Sequence, residues 1–148
     1  AARTAGELAR ARAELATAIA RWKSLPSRQR ASDRSGAEAR YLQGELEPVP
    51  AAAVAILDDV AAFGDAEWTI AASYRAGAVL EASQRERAIA AYRAAYDRGL
   101  ATSRFTTEML AAHAALVRLG ELPAEHEARD ASAASAPEPR LVESVQTH

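Results

Sequence analysis

The sequence predicts an all-α fold, and three observations carry that reading. Of the 148 residues 40 are alanine, the best helix former, and β-branched residues are sparse. Proline and glycine fall at intervals that cut the chain into pieces of helix length. Residues of matching type recur at a spacing of 33, the scale of a helix pair repeated along a chain. Together these point to stacked antiparallel helical hairpins with flanking helices. Aromatic residues make up only 5%, so the core must be closed by helices that approach one another closely.

The first helix is predicted over residues 5–25, stopped by Pro26, which cannot continue the hydrogen-bond ladder. Residues 27–36 hold Ser, Arg, Asp and Gly and read as a loop. A second helix over residues 37–47 is closed by Pro48 and Pro50. A third runs over residues 51–63, with Gly64 where a left-handed C-terminal cap is needed. Asp65 can cap a fourth, over residues 66–82. Ser83 and Glu86 have capping-box spacing and set the start of a fifth, over residues 84–98, which Gly99 closes. Thr102 or Ser103 can cap a sixth over residues 104–119, again followed by glycine, Gly120. A short helical turn is expected after Pro123, through Arg129. The stretch 130–148, dominated by Ala, Ser, Pro and Glu, is expected to be mostly disordered. The short connections between the second and sixth helices force neighbours to pack antiparallel.

The repeat joins Ala39, Tyr41 and Gly44 to Ala72, Tyr74 and Gly77, and Ala55, Ile56, Ala62 and Phe63 to Ala88, Ile89, Ala95 and Tyr96. Alanine matches are cheap in this composition; the Tyr, Gly, Ile and aromatic matches are not. Gly44 and Gly77 fall inside helices, where glycine costs about 1 kcal/mol against alanine. A helix tolerates that cost where a neighbour must come very close. Ala88 and Ala95, seven residues apart, make a face of small contacts flanked by Ile89, Tyr92 and Tyr96, which lets helix pairs nest and stack.

The stretch Ala72-Ser73-Tyr74-Arg75-Ala76-Gly77-Ala78-Val79-Leu80 resembles the first helix of a tetratricopeptide repeat, and Ala88, Tyr92 and Ala95 resemble the small, aromatic and small positions of its second helix. Residues 39–63 look like a weaker preceding copy, with Ala55 and Ala62 in the same roles. The resemblance covers about residues 37–120, and it departs from the family in three ways. The gap from Gly77 to Ala88 is one residue short, Leu100 stands where a proline is expected, and Pro48 and Pro50 interrupt the first hairpin. The run Phe63-Gly64-Asp65-Ala66-Glu67-Trp68 followed by Ala72–Gly77 is also similar to repeats in envelope-associated tetratricopeptide proteins of myxobacteria-like proteobacteria. The implied organisation is an N-terminal amphipathic helix over residues 1–26, repeats over 37–64 and 65–100, a capping helix over 103–120, and a tail over 121–148.

What the resemblance implies about function is a non-catalytic module for protein–protein interaction, in which first helices line a groove that receives a peptide. Carried over by position, that groove shows Glu38, Tyr41 and Glu45 from one repeat and Ala71, Tyr74, Arg75 and Ala78 from the next. It is mildly acidic and tyrosine-bearing, suited to an apolar or basic segment. The Lys and Asn cluster with which chaperone-binding members clamp a C-terminal carboxylate is missing, so that specificity is rejected. The competing expectation is that Tyr41 and Tyr74 pack between repeats, and that Trp68 is a core anchor. In the first helix Leu8, Leu15 and Trp22 recur every seven residues, with Ala11, Ala18 and Leu25 three residues after each. This is a coiled-coil seam that could pair two copies as a homodimer, or dock onto the chain's own repeats as a cap.

Charge is distributed unevenly around a net of −2. Residues 1–40 carry nine basic and four acidic groups, whereas 41–74 carry six acids and no base. Arg28, Arg30 and Arg34 make a small basic loop without the wide cationic surface and aromatic platforms that nucleic-acid binding needs, so that class is set aside. With no cysteine, disulfides, thiolate zinc sites and a cysteine nucleophile are excluded. His113, His126 and His148 lack metal-ligand spacing. No nucleophile elbow or phosphate-binding glycine loop is present. Asp58-Asp59 is the lone adjacent carboxylate pair and reads as solvated. We therefore expect no enzyme activity, cofactor or metal. No apolar run reaches the roughly 18 residues of a membrane span, so no membrane insertion is expected. The chain opens on Ala1 and shows no signal peptide, and we expect a fragment or a processed product. Its compartment, cytoplasmic or periplasmic and cell-envelope, stays open, as does the partner protein.

Overall fold

The computed structural model describes residues 4–123. Among the described residues the chain is all helical, in seven helices: α1 (Ala5–Ser24), α2 (Ser27–Arg30), α3 (Arg34–Leu46), α4 (Pro50–Phe63), α5 (Ala66–Leu80), α6 (Arg85–Thr102) and α7 (Thr107–Arg118). The turn expected at 123–129 and the expected disorder at 130–148 lie outside these residues, apart from Pro123 itself. No helix among them is long and apolar enough to cross a membrane.

Capping explains most boundaries. Thr4 opens α1 with a reciprocal box: its hydroxyl accepts from the Glu7 amide, and the Glu7 carboxylate accepts from the Thr4 amide. Asp33 caps α3 by accepting from the Gly36 amide at 3.1 Å, and Asp65 caps α5 by accepting from the Trp68 amide at 3.0 Å. The expected loop over 27–36 is therefore partly helical. Its polar composition hid Asp33 as a cap, so α3 starts three residues early, and a single turn, α2, fills the space before it. Pro50 does not close a helix but opens α4, where its missing N–H removes no hydrogen bond. The two prolines thus shape the turn between α3 and α4 rather than break the hairpin.

Three glycine and cap expectations need correction. Gly64 is extended, with φ −79° and ψ 173°, not left-handed. α6 has no side-chain cap at its start, so the Ser83–Glu86 box does not form. Nor does Gly99 end that helix: α6 runs through it to Thr102 and closes on Ser103, which is left-handed at φ 53°. Gly99 serves packing, because a β-carbon there would sit 2.2 Å from Met109 Cγ of α7. α7 accordingly starts later than expected, capped by Thr106, whose hydroxyl accepts from the Met109 amide at 3.1 Å. Gly120, which follows the last helix as expected, is left-handed at φ 79°.

Consecutive helices from α3 to α7 pack on one another, joined by connections of two to four residues, and α5 lies at the centre, touching α3, α4, α6 and α7. One buried cluster joins Tyr41, Leu57 and Val60 to Ala71, Ala72 and Ala76; a second joins Val54, Ile70, Ile89, Tyr92, Ala95, Met109 and Leu116 among others. α1 packs on α3 through its last turns. There Trp22 is wholly buried and Ile19 nearly so, while Leu8 stays 42% exposed. The Trp22 indole donates to the Arg30 carbonyl at 3.2 Å, and the Arg30 guanidinium sits 5.2 Å from the Trp22 ring and 4.8 Å from that of Phe63.

The repeat holds in the first helices and shifts in the second. Ala39, Tyr41 and Gly44 of α3 and Ala72 and Gly77 of α5 are buried, while Tyr74 is half-buried. In α6, Ala88 and Ala95 are fully buried. Their expected counterparts Ala55 and Ala62 are exposed and do not pack between helices. The buried residues of α4 are Ala53, Val54, Leu57 and Val60, which align with Ala88, Ile89, Tyr92 and Ala95 at a spacing of 35. Relative to α3, α5 runs one residue further, and its turn into α6 is one residue longer than that from α3 to α4, so the burial register advances by two residues.

Candidate functional site

Of the expected groove residues, Tyr41 and Glu45 of α3 come together with Arg75 of α5, and the aromatic pair differs from the expected one. Tyr41 of α3 does not meet Tyr74. Its ring packs on that of Trp68 at the start of α5, with centroids 5.3 Å apart and planes tilted by 48°. The Asp65 cap fixes Trp68 in the first turn of α5, and the Gly44–Leu57 contact holds α3 close to α4, so the rings meet across the α3–α5 seam. Tyr74 lies instead against Tyr92, at 5.8 Å, and packs on the second cluster.

Charged groups surround the Tyr41–Trp68 pair. The Tyr41 hydroxyl lies 3.4 Å from the Glu45 carboxylate, which forms an ion pair with Arg75 of α5. Burial pushes the Tyr41 phenol above its ordinary value, and the Arg75 guanidinium beside it opposes that shift. Arg75 is held charged chiefly by its hydrogen bond to Glu45. Its Nε atom is buried without a hydrogen-bond partner. Glu38 is exposed on α3. Ala71 is buried and Ala78 exposed along α5.

A cleft of about 140 Å³ opens beside the pair, lined by Glu67, Trp68 and Ala71 of α5, Thr106 at the α7 cap, and Glu108. Of the two carboxylates that line the cleft, Glu67 is shared between Arg34 and Arg104, whereas Glu108 has no ion pair among the described residues. Trp68 is half-buried, with one edge in the cluster beneath and another in the cleft. Reading Trp68 as a core anchor missed this second side. The available signal was its place in the first turn of α5, three residues after the Asp65 cap.

The expected packing residues Gly44, Gly77, Ala88, Tyr92 and Ala95 are all buried. Tyr92 also makes a polar link: its hydroxyl donates to Glu81 at 2.7 Å, and Glu81 accepts two hydrogen bonds from Arg118 of α7, at 2.6 and 2.8 Å. Arg118, and then Tyr92, hold the Glu81 carboxyl at about 2, well below the ordinary range. His113 stacks on Tyr96 at 5.2 Å. Asp58, one of the adjacent carboxylates, is exposed, whereas Asp59 is half-buried and paired with Arg40 at 3.1 Å. His126 and His148 lie outside the described residues. Comparison of the chain with protein families, curated proteins and solved structures finds no match.

Proposed function

We propose that the chain is a non-catalytic protein–protein interaction module of tetratricopeptide-like hairpins, which receives an extended protein segment along the row of first helices α3, α5 and α7. The observation that carries this reading is the cleft beside Tyr41 and Trp68. An aromatic pair, one ring reaching the surface, stands next to Glu108 on a scaffold of helices that hold one another in place. Tyr and Trp give a rigid contact area at low entropic cost, and a carboxylate at the edge favours a cationic side chain on the segment. The tetratricopeptide-like run 72–80 supports the same assignment, as does the central place of α5 between α3 and α7. In this reading α1 and α7 close the two ends of the stack.

The test is affinity capture from the native source with wild-type protein beside Trp68→Leu and Glu108→Arg variants of confirmed melting behaviour. A defined partner that wild type retains and both variants lose supports the groove. The same proteins retained by all three would sink it. A second reading, a helical oligomerisation module, draws on one observation: the seam of α1 is half used. Trp22 is buried against α3, whereas Leu8 and Ala11 are exposed. A chain mass that doubles with concentration, and returns to one chain on Leu8→Ala/Leu15→Ala substitution, would favour it.

A further inference from the structure

α7 is apolar on both sides, and the structure covers only one. Met109, Ala112, Ala115 and Leu116 are buried. On the other side Leu110, His113, Ala114 and Val117 follow the i, i+3, i+4, i+7 spacing of a second stripe. Of these Leu110 is 55% exposed, Ala114 is exposed, and His113 and Val117 are half-exposed. Nearby, Leu100 is 48% and Phe105 63% exposed. These side chains meet in a cleft of about 280 Å³ lined by Tyr96, Leu100, Phe105, Met109, Leu110 and His113.

The sequence beyond Pro123 holds an occupant of matching chemistry. Leu141, Val142 and Val145 are the sole large apolar residues in 124–148. The chain leaves the opposite end of α7, where Arg93 holds Glu121 and Arg85 holds the Leu119 carbonyl. From there to the cleft is about the length of α7, roughly 18 Å. A run of 17 residues, the number from 124 to 140, can reach up to about 56–61 Å. The tether is therefore long enough for the distance and keeps the three side chains at a high effective concentration near the cleft. A second copy is the weaker candidate, because a stable dimer buries about 800 Å² on each partner, and this patch rests on a few side chains. We propose that Leu141, Val142 and Val145 of the same chain dock in the cleft between α6 and α7 and cover the open stripe of α7.

The absence of cysteine allows a direct test on the full chain. A nitroxide label on Ser144→Cys should strip amide NMR intensity from Phe105, Leu110 and His113 and leave α3 and α4 intact, equally at low and high protein concentration. The same label on Ser132→Cys should affect the cleft less. Adding Leu110→Ser and Phe105→Ser, both at exposed positions, should restore the lost signals. Broadening that is absent, or spread evenly over the surface, overturns the proposal. Broadening that appears only when label and isotope sit on different chains overturns it in favour of a second copy.

Discussion

The ring of Tyr92 lies directly on Gly77: a β-carbon at Gly77 would sit 2.7 Å from both Cδ1 and Cε1 of the ring. The preceding hairpin has the same device with a smaller partner, since a β-carbon at Gly44 would lie 2.9 Å from Leu57 Cγ. In each pair a first-helix glycine receives the largest buried side chain that the facing part of the second helix offers. The glycine lets two helices approach more closely than any side chain would allow. Alanine at position 77 would gain about 1 kcal/mol of helix propensity and lose about 1–3 kcal/mol to overpacking against a ring that cannot retreat. We expect Gly77→Ala to lower the melting temperature. Gly6→Ala in α1 should raise it slightly, because a β-carbon there meets nothing closer than the Thr4 hydroxyl at 3.9 Å. Paired thermal melts check both, and a Gly77→Ala melt at or above wild type would refute the packing account.

The Glu81 link should make stability depend on pH in acid. Arg118 and Tyr92 lower the carboxyl from 4.5 to about 2 in the folded chain. A depressed carboxylate stabilises the fold above its ordinary pKa and loses that contribution as pH falls through the folded value. The contribution is thus complete above pH 4.5 and drains away toward pH 2. Because solvent reaches the pair, its size is about 1 kcal/mol. Glu81→Gln should cost that amount at neutral pH and flatten the decline between those limits. Urea titrations of both proteins across the range would show it; parallel curves would mean that other carboxylates carry the acid sensitivity.

Where the sequence was legible and where it was not follows from the range of the physics. Asp65 and Gly120 could be read because caps are local demands, and the tyrosine–glycine spacing of α3 and α5 because it recurs at a fixed offset of 33. The second helices could not. Ala55 and Ala62 matched Ala88 and Ala95 by letter, yet in an alanine-rich helix every face offers alanine, and only the point where the second helix starts, set by the end of the first helix and the turn after it, decides which face is buried. Gly99 misled for a related reason: a glycine near a helix end reads as a stop, but here it answers to Met109 of another helix. In the candidate site, the sequence resemblance names Glu45 and Arg75 one by one. That they pair with each other, and that Trp68 rather than Tyr74 faces Tyr41, depends on α3 meeting α5 across a seam that no local pattern encodes.

Tyr41 and Tyr74 should respond differently to truncation. Tyr41 is 9% exposed and joins the buried cluster of α3, α4 and α5. Removing its ring should cost about 3 kcal/mol, in the range for large aromatic truncations. Tyr41→Phe keeps the ring on Trp68 and gives up only the weak contact with Glu45, so it should melt within about 0.5 kcal/mol of wild type. Tyr74→Ala, at a half-buried position, should fall between the two. Binding measured on Tyr41→Phe therefore tests recognition, whereas binding measured on Tyr41→Ala tests folding. Chemical denaturation of the three variants separates them, and a Tyr41→Ala protein as stable as wild type would show that the ring does not support the core.

The seam of α1 makes the last contrast, because it is docked at one end and open at the other. Trp22 is wholly buried: its indole is hydrogen-bonded to the Arg30 carbonyl, and its side chain presses on Gly36, where a β-carbon would lie 2.5 Å from Trp22 Cβ. Leu8, in the same heptad position two turns of the repeat earlier, is 42% exposed. If α1 acts as an end cap of the stack, the two leucine-class positions are not equivalent. Trp22→Ala should cost about 3–5 kcal/mol and loosen α3 with it, and Leu8→Ala should change stability by no more than about 0.5 kcal/mol. If the open seam instead pairs two copies, Leu8→Ala would matter as well, and its effect would grow with protein concentration, since dimer stability follows mass action. Melts of both variants at two concentrations an order of magnitude apart distinguish the cases: a Leu8 effect that is small and the same at both concentrations assigns α1 to its own repeats, and one that scales with concentration assigns its exposed half to a partner copy.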